Sequence, residues 1–339
     1  MKITIKDIAK KANVSPSAVS LVLNNRPCRI SNEKRKKIKE IAEEYNYSAN
    51  QIARSLVTKK TQTLGLIIPD IENIFFSSLA KNIEAYCREK GYMLMIVNSN
   101  NEYDNDLELI NLLASRSVEG MFIIPSDSSY SDNTEIINRL EKLSKASIPY
   151  VLIDRIYPEL SCDKITYDNE LGAYLAVRHL LENGHRKIAC IASSEMSYNG
   201  NLRLRGYYKA MKEFNSTIKP GYVLQGDYRI DSGYEAGNQI LDKDITAVFI
   251  TNDMMTLGFL KSVYENGKRV PDDFSVVGYD NSIYPYVFGV ELTSIEQDVE
   301  QLGKHAVQLL FSKLQDPNKS YESLCLSPRL VVKNSVKEI

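Results

Sequence analysis

The chain has 339 residues, of which 43% are apolar and 25% are charged. This composition is typical of globular proteins, and the length favours two or three domains over a single core. No stretch approaches the roughly 18 consecutive apolar residues of a membrane span, and the polar N-terminus lacks the apolar segment of a secretory signal. We therefore expect neither membrane insertion nor export.

The cysteines argue against a disulfide framework and against a zinc site, because no two of them form a CxxC pair. Their odd number and wide spacing fit a reducing cytoplasm, where we expect the protein to act. The histidines are equally scattered, so we predict no metal site and no cofactor. The residues concerned are Cys28, Cys87, Cys162, Cys190, Cys325, His179, His185 and His305.

The net charge of -1 conceals a strong asymmetry along the chain. Residues 1–60 contain 14 Lys and Arg against 5 Asp and Glu, whereas residues 61–339 contain 28 against 38. This division suggests a basic module that meets a polyanion, joined to an acidic body with a different role. A solvated lysine-rich helix around residues 34–37 is the alternative, and charge alone does not separate the two.

Three short helices are predicted in the first 48 residues. A capping box of Thr4 and Asp7 begins the first, Ser15 and Pro16 begin a second at 16–24, and Ser31 caps the third. Apolar residues share one face of each helix at helical spacing: Ile5, Ile8, Ala9 and Ala12; Ala18, Val19, Val22 and Leu23; Ile38, Ile41, Ala42 and Tyr45. This pattern is typical of a helix-turn-helix, with a helical bundle that binds no partner as the alternative.

The first sixty residues resemble the DNA-binding head of the LacI/GalR (lactose-repressor) family of bacterial transcription regulators. The resemblance lies in the motifs Thr4-Ile5-Lys6-Asp7-Ile8-Ala9, Val14-Ser15, Val19-Ser20-Leu21-Val22-Leu23-Asn24-Asn25, Tyr47-Ser48-Ala49-Asn50 and Ala53-Arg54-Ser55-Leu56. It implies a DNA-binding domain at 1–48 and a hinge helix and linker at 49–60. The implied DNA-contacting residues are Ser15, Pro16, Ser17, Ser20, Leu21, Asn24, Arg54 and Leu56.

Three of these positions carry specific expectations. Leu21 stands where the family commonly has arginine or histidine, so a contact with a thymine methyl group is expected there. Leu56 matches the leucine that wedges into a minor-groove base step when two hinge helices pack together over DNA. Ala49 replaces a common proline at the start of that helix, and a plain linker is the alternative to a hinge.

From residue 61 onward, apolar runs alternate with amphipathic segments, which indicates repeated βαβ units and parallel sheets. A gap near 155–162 suggests two subdomains, predicted at 61–160 plus 293–320 and at 161–290 plus 321–335. The predicted fold is α/β: an all-α helix-turn-helix head joined by a hinge helix to two doubly wound parallel-sheet subdomains. The expected strands lie at 63–69, 92–98, 120–125, 149–153, 163–167, 187–192, 221–226, 246–251, 274–279, 291–295 and 323–332, with a helix at 298–315.

Ligands of open parallel sheets bind beyond the carboxyl ends of the strands, and polar side chains occupy several of these positions. Together with aromatic residues nearby in sequence, they suit a polyhydroxylated ligand, although each taken singly is equally consistent with a helix cap or a turn. The body also resembles the LacI/GalR family, whose core is periplasmic-binding-protein-like, in motifs such as Gly65–Asp70, Arg203–Tyr207 and Val276–Asp280. By position, the resemblance implies effector-contacting residues at Asp70, Phe75, Phe76, Asp154, Arg203, Tyr228, Asn252, Asp280 and Gln297. Val299 stands where some sugar-responsive members have an aromatic ring.

Enzymatic function is disfavoured, because the chain contains no dinucleotide fingerprint, Walker A loop, GxSxG or HExxH motif, and we predict no catalytic residues. A hydrolase built on scattered aspartates, a transport receptor and a DNA-binding protein with an inert body remain alternatives. The favoured interpretation is a sequence-specific transcriptional regulator, a repressor of a carbohydrate-utilisation operon. We expect a homodimer on a near-palindromic double-stranded DNA operator, controlled by a small-molecule effector that is a sugar or a sugar phosphate, with no membrane partner.

Overall fold

A computed structural model of the chain describes residues 3–23, 27–45, 47, 60–130, 133–193, 197–284 and 287–339. The chain divides into two compact units, Met1–Thr61 and Gln62–Ile339, which we call the head and the core. Within the described ranges, none of the helices combines the length and the apolar character that crossing a membrane requires.

The described part of the head contains the three predicted helices, α1 (Ile5–Ala12), α2 (Pro16–Leu23) and α3 (Asn32–Glu44). Helix α1 begins with the predicted capping box, in which the Thr4 N–H donates to the Asp7 carboxylate at 2.9 Å and the Thr4 hydroxyl accepts from the Asp7 N–H. The three helices enclose a small apolar core made of Ile8, Ala9, Ala12, Val19, Val22, Ile38, Ile41 and Ala42.

The predicted burial of Tyr45 is wrong. Helix α3 ends at Glu44, so Tyr45 leaves the helical face and remains 43% exposed. Its hydroxyl accepts a hydrogen bond from Lys11 Nζ at 2.9 Å, and Tyr47 packs against the core of the head instead.

The described part of the core alternates strands and helices in the order that the apolar runs predicted. The strands are β1 (Thr63–Ile68), β2 (Met93–Asn98), β3 (Met121–Ile123), β4 (Tyr150–Ile153), β5 (Asp163–Tyr167), β6 (Ile188–Ala192), β7 (Val223–Gln225), β8 (Ala247–Ile250), β9 (Ser275–Asp280), β10 (Thr293–Glu296), β11 (Ser323–Leu326) and β12 (Arg329–Val331). The helices are α4 (Ile74–Glu89), α5 (Tyr103–Ser115), α6 (Thr134–Lys145), α7 (Asn169–Glu182), α8 (Tyr198–Glu213), α9 (Ile230–Ile240), α10 (Asp253–Glu265) and α11 (Val299–Gln315).

These strands form two six-stranded sheets, in the orders β11-β5-β4-β3-β1-β2 and β12-β10-β9-β8-β6-β7. Neighbouring strands are parallel except for the β10–β12 pair. Helices cover both faces of each sheet: α4 and α11 against α5 and α6 in the first subdomain, and α9 and α10 against α7 and α8 in the second. Because both faces are covered, a strand such as β1 is buried along its whole length, which explains its continuous apolar sequence.

The predicted boundaries between the subdomains need correction. Strand β5 (163–167) was assigned to the second subdomain but pairs with β4 in the first sheet, because the segment 155–162 is a loop within that sheet. Strand β10 (293–296) was assigned to the first subdomain but pairs with β9 in the second sheet. The single strand predicted at 323–332 consists of β11 and β12, which belong to different sheets. The chain therefore crosses between the subdomains after β5, after β10 and after β11.

Candidate functional site

The first candidate site is the exposed face of α2 in the head. The Ser15 hydroxyl accepts a hydrogen bond from the Ala18 N–H at 3.2 Å and so fixes the first turn of the helix. Val19 and Val22 are buried on the opposite face. The predicted DNA-contacting residues of this segment are exposed or partly exposed: Ser15, Pro16, Ser17, Ser20 and Leu21. A short helix that presents small polar groups near its N-terminus is typical of a recognition helix that enters the major groove.

The surface of the head carries many cationic side chains. The exposed ones in the described residues are Lys6, Lys10, Lys11, Arg29, Lys34, Lys36, Lys37, Lys39 and Lys60. Such a surface binds the phosphate backbone of a nucleic acid by displacing its counterions. Three further predicted DNA contacts, Asn24, Arg54 and Leu56, lie outside the described residues together with most of the predicted hinge.

The second candidate site is a cavity between the two subdomains of the core, with about 300 Å³ of space that is partly open to solvent. We call it the central cavity. Seven of the nine residues predicted to contact an effector line it: Phe75, Phe76, Asp154, Arg203, Tyr228, Asn252 and Asp280. Asn73, Arg155 and Asn199 complete the lining.

The aromatic wall of the central cavity is formed at the start of α4. Asn73 caps this helix by accepting a hydrogen bond from the Phe75 N–H at 3.0 Å. The rings of Phe75 and Phe76 pack edge to face with centroids 5.4 Å apart, and both are nearly buried. The helix cap thereby places two rigid apolar surfaces on one side of the cavity, suited to stacking on a flat or ring-shaped ligand.

Arg203 supplies a fixed cation on the opposite side. Its guanidinium donates to Asn169 Oδ1 at 2.7 Å and to the Thr251 carbonyl, lies 3.5 Å from Asp280 Oδ1, and stacks 3.8 Å above the Tyr279 ring. A Cβ atom at Gly172 would lie 2.3 Å from the Tyr279 hydroxyl, so glycine leaves the room that this tyrosine occupies. With so many partners, Arg203 can meet a ligand without losing side-chain entropy on binding.

The two cavity aspartates stand at strand ends in strained backbone. Asp154 follows β4 with φ of 65°, and Asp280 ends β9 with φ of 90°, conformations that non-glycine residues rarely adopt. Burial raises the pKa of Asp154 to about 6, against the opposing effect of the Arg155 and Arg203 charges. Burial also raises the pKa of Asp280, although the Arg203 charge opposes the shift. Strain and perturbed carboxyl groups at one place are typical of a functional site.

Sequence reasoning missed three of the lining residues, Asn73, Arg155 and Asn199. Arg155 forms a buried ion pair with Asp127 at 3.0 Å, and its guanidinium lies over the rings of Phe76 and Tyr228 at 5.4 Å and 5.9 Å. Its place directly after Asp154 at a strand end was a usable signal. Asn199 lies in the first turn of α8, and nothing in the local sequence indicates that this turn reaches the cavity.

Two other predicted residues lie next to the cavity without lining it. Gln297 donates to Asp280 Oδ1 at 2.8 Å and so holds that carboxylate in place. Asp70 lies in a wider opening outside the cavity, which we call the mouth, where its carboxylate accepts from the Glu72 N–H at 2.9 Å. Val299, at the position of the absent aromatic ring, packs against the core of the first subdomain.

Comparison with known proteins gives the same two-part division. Residues 4–50 match the family described as bacterial regulatory proteins, lacI family, and residues 177–336 match the periplasmic binding protein-like domain. The HTH-type transcriptional repressor PurR of Vibrio campbellii is 34% identical over 339 residues, a match that covers 99% of each chain.

Two solved structures have folds similar to that of this chain over most of its length. The lac repressor dimer bound to operator and the anti-inducer ONPF is 27% identical with a TM-score of 0.84, over 99% of this chain and 100% of the other. A LacI family transcriptional regulator from Enterococcus faecium with bound ribose is 30% identical with a TM-score of 0.72, over 82% of this chain and 99% of the other.

Proposed function

The chain belongs to the lacI family of bacterial regulatory proteins and is a DNA-binding transcriptional repressor of that family; from this premise we propose that an unphosphorylated monosaccharide, bound in the central cavity, controls its affinity for an operator. The observation that carries this proposal is the chemistry of the cavity. Fixed donors, unpaired acceptors and two phenylalanine rings surround one small space, as a sugar requires.

Unpaired acceptors favour a ligand rich in hydroxyl groups. Among the described residues, Asp154 Oδ1 and Asn199 Oδ1 are buried and have no hydrogen-bond partner. Leaving buried acceptors unpaired costs about 1–3 kcal/mol each, and a ligand that donates to both removes that cost. Sugar hydroxyls donate to such oxygens and accept from the guanidinium groups of Arg155 and Arg203. A flat nitrogenous base is the alternative that the two phenylalanine rings would accept.

The buried charges disfavour a phosphorylated ligand. Arg155 is paired with Asp127 and Arg203 with Asp280, so Asp154 remains as a carboxylate without a cationic partner of its own. The mouth adds further carboxylates in Asp70, Glu72, Glu102, Asp227 and Asp231. A phosphate group would bring negative charge into a site whose described residues already carry an excess of it, at an energetic cost that burial increases.

A solved relative indicates the first sugar to test. Ribose is bound in the Enterococcus faecium regulator that is 30% identical to this chain. D-ribose is therefore the first effector to test, and a carbohydrate-utilisation operon is the expected target of repression.

The mechanism couples two equilibria. We propose that two chains form a homodimer on a near-palindromic operator and that the relative orientation of the core subdomains sets the affinity of this homodimer for DNA. A sugar in the cavity shifts the population only to the extent that it binds the two orientations with different affinity. A coupling of about 1–3 kcal/mol would change operator affinity roughly 5- to 150-fold.

A thermal-shift screen followed by operator binding tests the proposal. D-ribose, other aldopentoses, hexoses, their phosphates and purine bases are compared on the full chain, since a ligand of the folded state must raise its melting temperature. We expect an unphosphorylated sugar to raise it and its phosphate to have no effect. Stabilisation by a purine base or by a sugar phosphate alone would overturn the proposed effector class.

A further inference from the structure

Beside the central cavity, three tyrosines stack across the boundary between the subdomains. Tyr130 ends a short 3-10 turn at Asp127–Tyr130 in the first subdomain, and Tyr198 begins α8 in the second. Their rings are parallel to within 18° with centroids 5.2 Å apart. On its other side Tyr130 packs against the buried ring of Tyr157, also with a centroid distance of 5.2 Å. We call these residues the tyrosine stack.

The ring of Tyr130, and not its hydroxyl, holds this residue in place. The hydroxyl is buried and has no hydrogen-bond partner among the described residues, a state that disfavours tyrosine relative to phenylalanine. The two neighbouring rings supply the attraction instead. The Tyr198 ring is nearly parallel to that of Tyr130, in the stacked arrangement that aromatic pairs favour, whereas the Tyr157 ring is tilted by 33°.

Each arm of the tyrosine stack is directly connected to the wall of the central cavity. In the turn that ends at Tyr130, Asp127 holds the cavity residue Arg155 through a buried ion pair at 3.0 Å. Next to Tyr198, Asn199 lines the cavity, and the Ser197 hydroxyl is hydrogen-bonded to the Tyr228 hydroxyl at 2.9 Å. The stack therefore joins the Arg155 side of the cavity to the Asn199 side.

We propose that Tyr130 and Tyr198 are positioning residues for the effector, because their stack forms when the subdomains close and separates when they open. Neither tyrosine lines the central cavity, and their effect on a ligand passes through closure. This role rests on the proposed effector site. Since the stack forms only in the closed state, it is expected to increase the closed fraction and to slow effector release. Loss of one ring lowers the population that binds tightly, and the apparent Kd rises in proportion.

The expected size of the effect follows from the strength of an aromatic pair. Such a pair contributes enough to shift an equilibrium roughly 2- to 13-fold. Tyr198→Ala should therefore raise the Kd for D-ribose by up to that factor, mainly through a faster dissociation rate. Tyr198→Phe retains the ring and should restore the wild-type Kd. Tyr208→Ala, in the same helix and at an exposed tyrosine, is the matched control for effects on folding.

Calorimetry and stopped-flow kinetics with D-ribose test this prediction, with urea unfolding of each variant measured separately. A higher Kd and a faster dissociation rate for Tyr198→Ala, restored in Tyr198→Phe and absent in Tyr208→Ala, would support the proposal. Equal Kd values for Tyr198→Ala and Tyr198→Phe would overturn it, and so would a change confined to the association rate.

A second measurement needs no sugar and separates failure of this proposal from failure of the proposed effector. The chain contains no tryptophan, so Tyr198→Trp introduces a single reporter. Acrylamide should quench it weakly while Tyr130 covers it and more strongly in the Tyr130→Ala background, whereas Tyr130→Phe should preserve protection. If D-ribose does not bind the wild-type chain, the sugar assignment fails and quenching alone decides the role of the stack. Identical quenching in all three backgrounds would overturn it.

Discussion

The substitution Asp154→Asn is expected to stabilise the ligand-free core and to weaken sugar binding, two effects of opposite sign. Asp154 is only 3% exposed, and its Oδ1 has no hydrogen-bond partner among the described residues. Burial raises the pKa of this carboxyl from 3.8 to about 6. A pKa shift of one unit corresponds to about 1.4 kcal/mol. Ionised Asp154 therefore destabilises the folded core by about 3 kcal/mol relative to a carboxylate whose pKa is the same in the folded and unfolded states.

The pH dependence of this stabilisation has a defined sign. The folded state binds the Asp154 proton more tightly than the unfolded state does. Protonation of Asp154 therefore stabilises the folded state, and this contribution is complete below about pH 4. That contribution is lost as the pH rises through about 6. The asparagine does not titrate, so the free energy of unfolding of Asp154→Asn should exceed that of the wild type by up to about 3 kcal/mol at neutral pH. The difference should shrink as the pH falls towards 4, and urea unfolding at several pH values measures it.

Sugar binding should change in the opposite direction. A hydrogen bond to a charged group contributes about 1.5–3 kcal/mol and one to a neutral group about 0.5–1.5 kcal/mol. Because the asparagine Oδ1 still accepts, Asp154→Asn should lose about 1–1.5 kcal/mol and weaken D-ribose binding roughly 5- to 13-fold in calorimetry at neutral pH. Asp104→Asn, at an exposed carboxylate in α5, is the matched control and should change neither quantity. An Asp154→Asn variant that binds D-ribose as tightly as the wild type, or that is less stable at neutral pH, would refute the reasoning.

Three further predictions concern DNA binding and packing. Operator affinity should fall steeply as salt rises, because the cationic head displaces phosphate counterions; equal Kd values at low and high salt would contradict this. Leu56→Ala should weaken specific binding much more than non-specific binding, because a wedge acts only where the base step can be kinked, and equal losses on operator and random DNA would count against it. Gly172→Ala should destabilise the core by about 1–3 kcal/mol in urea unfolding, because the added Cβ meets the Tyr279 hydroxyl. Tyr279→Phe should relieve part of that loss, and an alanine variant as stable as the wild type would disprove the close packing.

Local signals in the sequence were sufficient to predict the helices and strands and many of the residues that line the central cavity. The capping box of Thr4 and Asp7 satisfies the first turn of α1 from within four residues, so it is readable without any tertiary information. Asp154 and Asp280 were identifiable because they follow buried apolar strands, whose carboxyl ends point to one edge of a parallel sheet.

What the sequence did not reveal depends on contacts between distant segments. Strand β5 continues the first sheet because it lies between β4 and β11, and β11 is about 160 residues further along the chain. Asn199 reaches the cavity only because α8 packs where it does, and Tyr130 meets Tyr198 only when both subdomains are in place. Periodicity describes a face of one element, and it carries no information about which distant element covers that face.

The most direct test of the central claim is the operator affinity of the full chain with and without D-ribose. Fluorescence anisotropy with a labelled near-palindromic fragment from beside its own gene, at physiological salt, measures both values. The coupling proposed here predicts a change in Kd of roughly 5- to 150-fold on saturation with the sugar. A Kd that is the same with and without a sugar that demonstrably binds the core would contradict it.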